Sequence, residues 1–173
     1  ELVSQSPVFN DLAANHFPFE KITAVADNVV VLLGPRGEVL CNLKPYLLAQ
    51  DSIKGFKWNE KPPRLMLWSK NKIGFIDFSK RSKDAQPKIM WITDKAENIT
   101  DAFLINEGNH ILFVDDGLVF MADTGYYGAP GVQKIMDAGR DTGFYYSDRI
   151  GKIFLTHKDT RRLCSVEIVP QKA

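Results

Sequence analysis

Ile111-Leu112-Phe113-Val114-Asp115-Asp116-Gly117-Leu118-Val119-Phe120-Met121-Ala122 carries the pattern that decides the fold. An unbroken apolar run meets an Asp-Asp-Gly turn, and a second apolar-rich run follows. Asp116 and Gly117 both tolerate the positive φ of a primed two-residue turn, so the stretch predicts a β-hairpin. The arrangement recurs on both sides. Apolar runs begin at Val29, Leu65, Ile111 and Ile153, spaced by 36, 46 and 42 residues. Each is followed by a polar turn and another strand-like segment, at 38–43, 73–78, 118–122 and 162–169.

Working outward, strand-like segments also precede each run, at 22–26, 53–58, 99–105 and 143–147. Further candidates lie at 46–50, 88–93 and 132–136. The unit therefore reads strand, strand, apolar strand, strand. Its spacing brackets the ~40–45-residue period of a four-stranded propeller blade. A strand covered on both faces should be continuously apolar, and the third of each unit is. The fourth should be a mixed outer edge, as 73–78 and 163–168 read. The expected fold is all-β: a β-propeller of about four blades of four-stranded antiparallel sheet, at about 20–44, 45–80, 86–123 and 131–170, part of a larger ring. Residues 1–19 then form a connecting segment or the remnant of a preceding blade. Ser6-Pro7 has the composition of a helix start, so one short helix fits there. A helical turn over 132–138 and an all-β sandwich or irregular barrel stand as alternatives. No long amphipathic helix is visible, which argues against βαβ architectures.

The unit from Ile99 to Asp123, with its Ile-Leu-Phe-Val strand after Asn109-His110, resembles blades of WD-repeat-like and TolB-like propellers. The unit from Phe144-Tyr145-Tyr146-Ser147 through Ile153-Phe154-Leu155 to Ile168 resembles the closing blades of bacterial propellers that follow PEGA domains in large surface proteins. The resemblance spans residues 20 to 170 and implies a propeller fold, with an extracytoplasmic or cell-surface location. No Trp-Asp dipeptide closes a unit and no Gly-His pair opens one, so no functional residue transfers with it. Four blades would be a minimal ring. We therefore expect part of a larger one, its end blades presenting apolar faces for further blades and the isolated chain self-associating. The first residue is Glu1 rather than Met, which leads us to expect residues upstream.

The chemistry-bearing residues form no local motif. Twenty-two basic and 21 acidic residues leave a formal charge of +1, which gives no reason to invoke nucleic acid. The densest basic cluster, Lys80, Arg81 and Lys83, lacks an aromatic platform and reads as a solvated turn. No segment approaches the ~18 apolar residues of a membrane span. Cys41 and Cys164 lack metal spacing and read as apolar packing. His16, His110 and His157 are scattered, and Asp115-Asp116 is explained by its hairpin. Residues 128–134 fail as a phosphate loop. Trp58, Trp68 and Trp91 fall in strands and read as packing between blades.

These absences lead us to expect no catalytic residue, no cofactor and no metal. The expected role is a non-catalytic module that binds a protein or peptide, or a rigid spacer in a larger protein beside its remaining blades. Tyr126 and Tyr127, in the loop 125–131, are the candidate contact residues. The competing reading is a propeller enzyme or carbohydrate-binding domain whose central channel gathers polar side chains from several blades.

Overall fold

The computed structural model describes residues 6–26, 29–44, 46–50, 52–79, 88–124, 131–140, 143–147 and 149–168. The chain divides into two compact units, Glu1–Asp94 and Lys95–Ala173. One helix, α1 (Pro7–Asn15), precedes fifteen strands among the described residues. In the first unit, β1 (Lys21–Ala26), β2 (Val29–Leu33), β3 (Val39–Cys41) and β4 (Leu47–Ala49) form one antiparallel sheet in chain order. A second contains β5 (Ile53–Asn59), β6 (Arg64–Ser69), β7 (Ile73–Asp77) and β8 (Met90–Thr93). In the second unit, β9 (Ile99–Ile105), β10 (His110–Asp115), β11 (Leu118–Asp123) and β12 (Val132–Asp137) form the third sheet. The fourth has three strands, β13 (Phe144–Ser147), β14 (Lys152–Thr156) and β15 (Leu163–Glu167).

The hairpin read first from the sequence is present. Asp115 pairs with Leu118 across Asp116 and Gly117, whose φ values are 47° and 80°. Gly117 is fixed twice over, because a Cβ there would also lie 2.5 Å from the Gly139 backbone. Cross-strand partners Phe113 and Phe120 stack with ring centroids 5.4 Å apart. The helix start is present as well: the Ser6 hydroxyl accepts the Phe9 N–H at 3.4 Å, with Pro7 in the first turn.

Strand grouping differs from expectation by one strand. The segments expected to open units 45–80, 86–123 and 131–170 instead close the preceding sheets, as β4 on β3, β8 on β7 and β12 on β11. The apolar run is thus the second strand of each sheet. The local reason is hairpin closure: Cys41 N–H donates to the Tyr46 carbonyl and Asp123 N–H to that of Gly131, turning the chain back on the strand it has just left. Consequently β7, expected as a mixed edge, is buried at all five positions, and the outer strand is β8. Residues 132–137 form a strand, not a helical turn. Among the described residues strands pair only within their own consecutive group, which excludes the sandwich and barrel alternatives.

In the first unit, Val31, Leu33, Val39 and Cys41 pack against Ile53, Phe56, Leu65 and Leu67, so the first two sheets bury their facing sides together. The first sheet's other side carries Leu32 and Leu40, and α1 covers it through Phe9, which is 4% exposed. Residues expected to form a connector or the remnant of a blade are therefore a helix that seals an apolar face (the face expected to lie open). In the second unit, Phe103, Ile105, Leu112 and Val114 pack with Tyr146, Ile153 and Leu155 between the third and fourth sheets. The fourth sheet's other side is not uniformly apolar. It presents the cross-strand rows Tyr145–Phe154–Ser165 and Lys152–Glu167, and β15 alternates exposed and half-buried positions.

Candidate functional site

A cleft of about 500 Å³ opens at one end of the second sheet, in the first unit. Its floor is Ala49, Ile53 and Ile89; Trp91 forms a wall; Gln50, Ser52, Ser69, Asn71 and Lys72 supply polar groups. It falls in the ~300–1,000 Å³ range of ligand pockets.

Local sequence explains how these groups are held. The turn Ser69-Lys70-Asn71-Lys72 joins β6 to β7. Ser69 N–H donates to the Lys72 carbonyl at 2.9 Å, and Lys72 N–H donates to the Ser69 hydroxyl at 3.2 Å. That hydroxyl lies 3.3 Å from Asn71 Oδ1, as donor to it. Ser69 is buried, so the turn is anchored from below while the Lys72 side chain stays exposed. Gly74 faces Trp91 across the β7–β8 pair. A Cβ there would lie 2.5 Å from the Met90 carbonyl oxygen and 2.9 Å from the indole, so only glycine lets the ring lie on β7. Lys72 Nζ sits 5.9 Å from the Trp91 ring centroid, at the outer limit of a cation–π contact.

Trp91 is 40% exposed, so its expected role in packing between blades is corrected. The chain delivers it on β8, which among the described residues pairs with no strand beyond β7. Trp58 and Trp68 do pack, Trp58 beside Phe78 and Trp68 buried on Gly55. Tyr126 and Tyr127 lie outside the described residues, as do Lys80, Arg81 and Lys83.

The histidines are engaged locally. The His16 ring donates to the Leu12 carbonyl at 2.8 Å, His110 faces Asn106, and His157 Nδ1 accepts N–H groups from its own turn. Asp115 accepts from Glu97 N–H and Asn98 N–H, and Asp116 pairs with Arg140 at 2.6 Å. Both cysteines are free thiols. Among the described residues, no three His, Cys, Asp or Glu side chains gather in a way that could hold a metal ion.

Two buried carboxylates escaped the sequence reading. Arg64, 1% exposed, reaches Asp77 Oδ2 at 3.3 Å and lies over the Phe75 ring. Burial raises the Asp77 pKa, but Ser79 N–H and hydroxyl bonds and the Arg64 charge outweigh it and leave it lowered. Glu38, 2% exposed, is likewise pushed up by burial and then brought below its ordinary value by backbone N–H groups and Arg36. Neither lines the cleft. The only sequence hints of the cleft are a glycine inside a strand at Gly74 and lysines beside lining positions.

No protein-family model matches the chain. No curated protein matches it either. Among solved structures, 29 chains match. One is the β-propeller domain of Myceliophteria thermophila Cps50 (Swd1), with a TM-score of 0.59 and 9% identity. Another is Kluyveromyces lactis Hsv2, with a TM-score of 0.43 and 15% identity over 78% of this chain and 43% of that one. The Swd1 match covers 95% of this chain but 56% of that domain, so the chain spans little more than half the domain's length. Sequentially ordered antiparallel sheets, together with the Swd1 likeness, establish the fold as about four blades of a β-propeller.

Proposed function

We propose that this chain is a non-catalytic binding module that takes a protein or peptide on the ends of its blades. One observation carries the reading: an open cleft walled by a half-exposed tryptophan, which the Ser69 turn and Gly74 hold in place on a sheet. Preformed, partly apolar clefts with a few fixed polar groups suit recognition, and aromatic anchors dominate binding energy. The loop 125–131, with Tyr126 and Tyr127, belongs to the same proposal as a second contact region. So do a spacing role among further blades and kinship with TolB-like or PEGA-associated bacterial surface propellers. The glycine-flanked tyrosine pair supports the loop, and the likeness of the units 99–123 and 144–168 to such blades supports the kinship.

The test is selection of binders from a random displayed peptide library, followed by Trp91→Ala and by Tyr126→Ala with Tyr127→Ala. Selected peptides should lose affinity with Trp91→Ala at unchanged thermal stability. Loss only with the tyrosine pair would move the contact to loop 125–131. A library that returns no binder would remove the binding reading.

A further inference from the structure

Among the described residues the fourth sheet has three strands where the others have four, and β15 pairs with β14 alone. Residues 169–173 lie outside the described residues. His157 N–H donates to the Arg162 carbonyl at 2.9 Å, and Ile168 N–H donates to that of Gly151 at 3.1 Å. Both bonds continue the β14–β15 register, in which Leu155 faces Cys164 and Ile153 faces Val166. Bonded and non-bonded pairs alternate along an antiparallel ladder, so Arg162, Cys164, Val166 and Ile168 turn their backbone groups to β14. Leu163, Ser165 and Glu167 turn theirs outward, with no hydrogen-bond partner among the described residues. Their side chains are exposed, while Val166 and Ile168 pack on the core between the third and fourth sheets. A row of free N–H and carbonyl groups is the chemistry that another strand completes.

We propose that this edge pairs antiparallel with the same edge of a second copy of the chain, joining the two fourth sheets into one. Residues 163–167 are self-complementary in that orientation. With Ser165 opposite the partner's Ser165, Leu163 lies opposite the partner's Glu167, and Cys164 opposite the partner's Val166. The outward residues then meet as hydrogen-bonded pairs, and no like charges stand opposite each other. Exposed Arg161 and Arg162 precede β15, and exposed Glu167 ends it. Antiparallel pairing brings these arginines to the end of the strand that carries the partner's Glu167, which within its own chain faces Lys152. Parallel pairing would put arginines beside arginines. Register and charge complementarity together favour a second copy in this orientation. The edge belongs to the second unit and is independent of the Trp91 cleft. One strand is a small interface, so the association is weak.

The experiment follows amide hydrogen exchange, residue by residue, on the whole chain at concentrations up to about 1 mM. The N–H groups of Leu163, Ser165 and Glu167 should become protected as concentration rises. Those of Cys164 and Val166 should be protected throughout, because they face β14. Ser165→Pro removes an outward N–H without touching that ladder, and an edge strand tolerates proline there. It should weaken the dimer about tenfold, since each copy loses a donor to the other. Ser165→Lys sets like charges opposite each other, should weaken the dimer too, and serves if the proline variant unfolds. Mixed labelled and unlabelled chains should show contacts of Leu163 with the partner's Glu167. Protection of the three outward N–H groups at every concentration would place the covering strand within the chain and overturn the proposal. So would exchange that stays fast at about 1 mM, association that both variants leave unchanged, or contacts of Leu163 with the partner's Leu163.

Discussion

Asp77 ends β7 and Glu38 immediately precedes β3, yet both are nearly as buried as the leucines around them, and each remains below its ordinary pKa. Their unfolded-state values are 3.8 and 4.5. Because the folded values are lower, the unfolded chain binds protons first as pH falls. The stability they contribute is complete above about pH 5 and is lost through and below the pH 4 region. Acid titration of the thermal midpoint should therefore show a fall there that Glu38→Gln shallows; an unchanged profile would remove Glu38 from the account. Asp77→Ala leaves the Arg64 charge buried without this partner and should cost about 3–5 kcal/mol in urea unfolding. A loss below about 1 kcal/mol, the scale of an exposed pair, would contradict the geometry. Neither group was legible from sequence. Arg64 and Asp77 are thirteen positions apart and meet only because the β6–β7 register makes them partners. Trp91 was visible as a residue, but its exposure depends on β8 being the last strand of its sheet, which sequence does not state.

At the scale of elements, α1 tests how the first blade is finished. Phe9 anchors it on Leu32 and Leu40, with Tyr46 alongside at 5.9 Å between ring centroids. Phe9→Ala should cost about 3 kcal/mol and raise hydrogen exchange across Pro7–Asn15 while β2 and β3 stay protected. Ser6→Ala should cost about 1 kcal/mol through the lost cap. Exchange in α1 that ignores Phe9→Ala would mean the helix does not depend on that face. The individual strands and the helix were readable, because alternation, turn residues and capping act within a few positions. Their grouping into sheets was not. A period of about forty residues fixes the repeat but leaves its phase free, so a strand can close one blade or open the next with the same spacing.

At the scale of the whole molecule, the chain spans 56% of the Swd1 propeller domain. Self-association, expected when both end faces lie open, is now expected through the fourth sheet, since α1 covers the first. There Tyr145, 60% exposed, and Leu163, 76% exposed, stand beside polar neighbours, and β15 has no further paired strand among the described residues. Sedimentation velocity should show concentration-dependent association, which Tyr145→Lys with Leu163→Lys reduces. A wild-type chain monomeric at every concentration would contradict this. The central claim is that each of the first three blades closes on its own outer strand, β4, β8 or β12, and cross-strand nuclear Overhauser effects test it most directly. The account predicts contacts of Phe75 with Met90 and of Gly74 with Trp91 across β7–β8. It also predicts contacts of Met121 with Gln133 across β11–β12. Contacts that instead pair Met90–Thr93 with Ile99–Ile105 would contradict it.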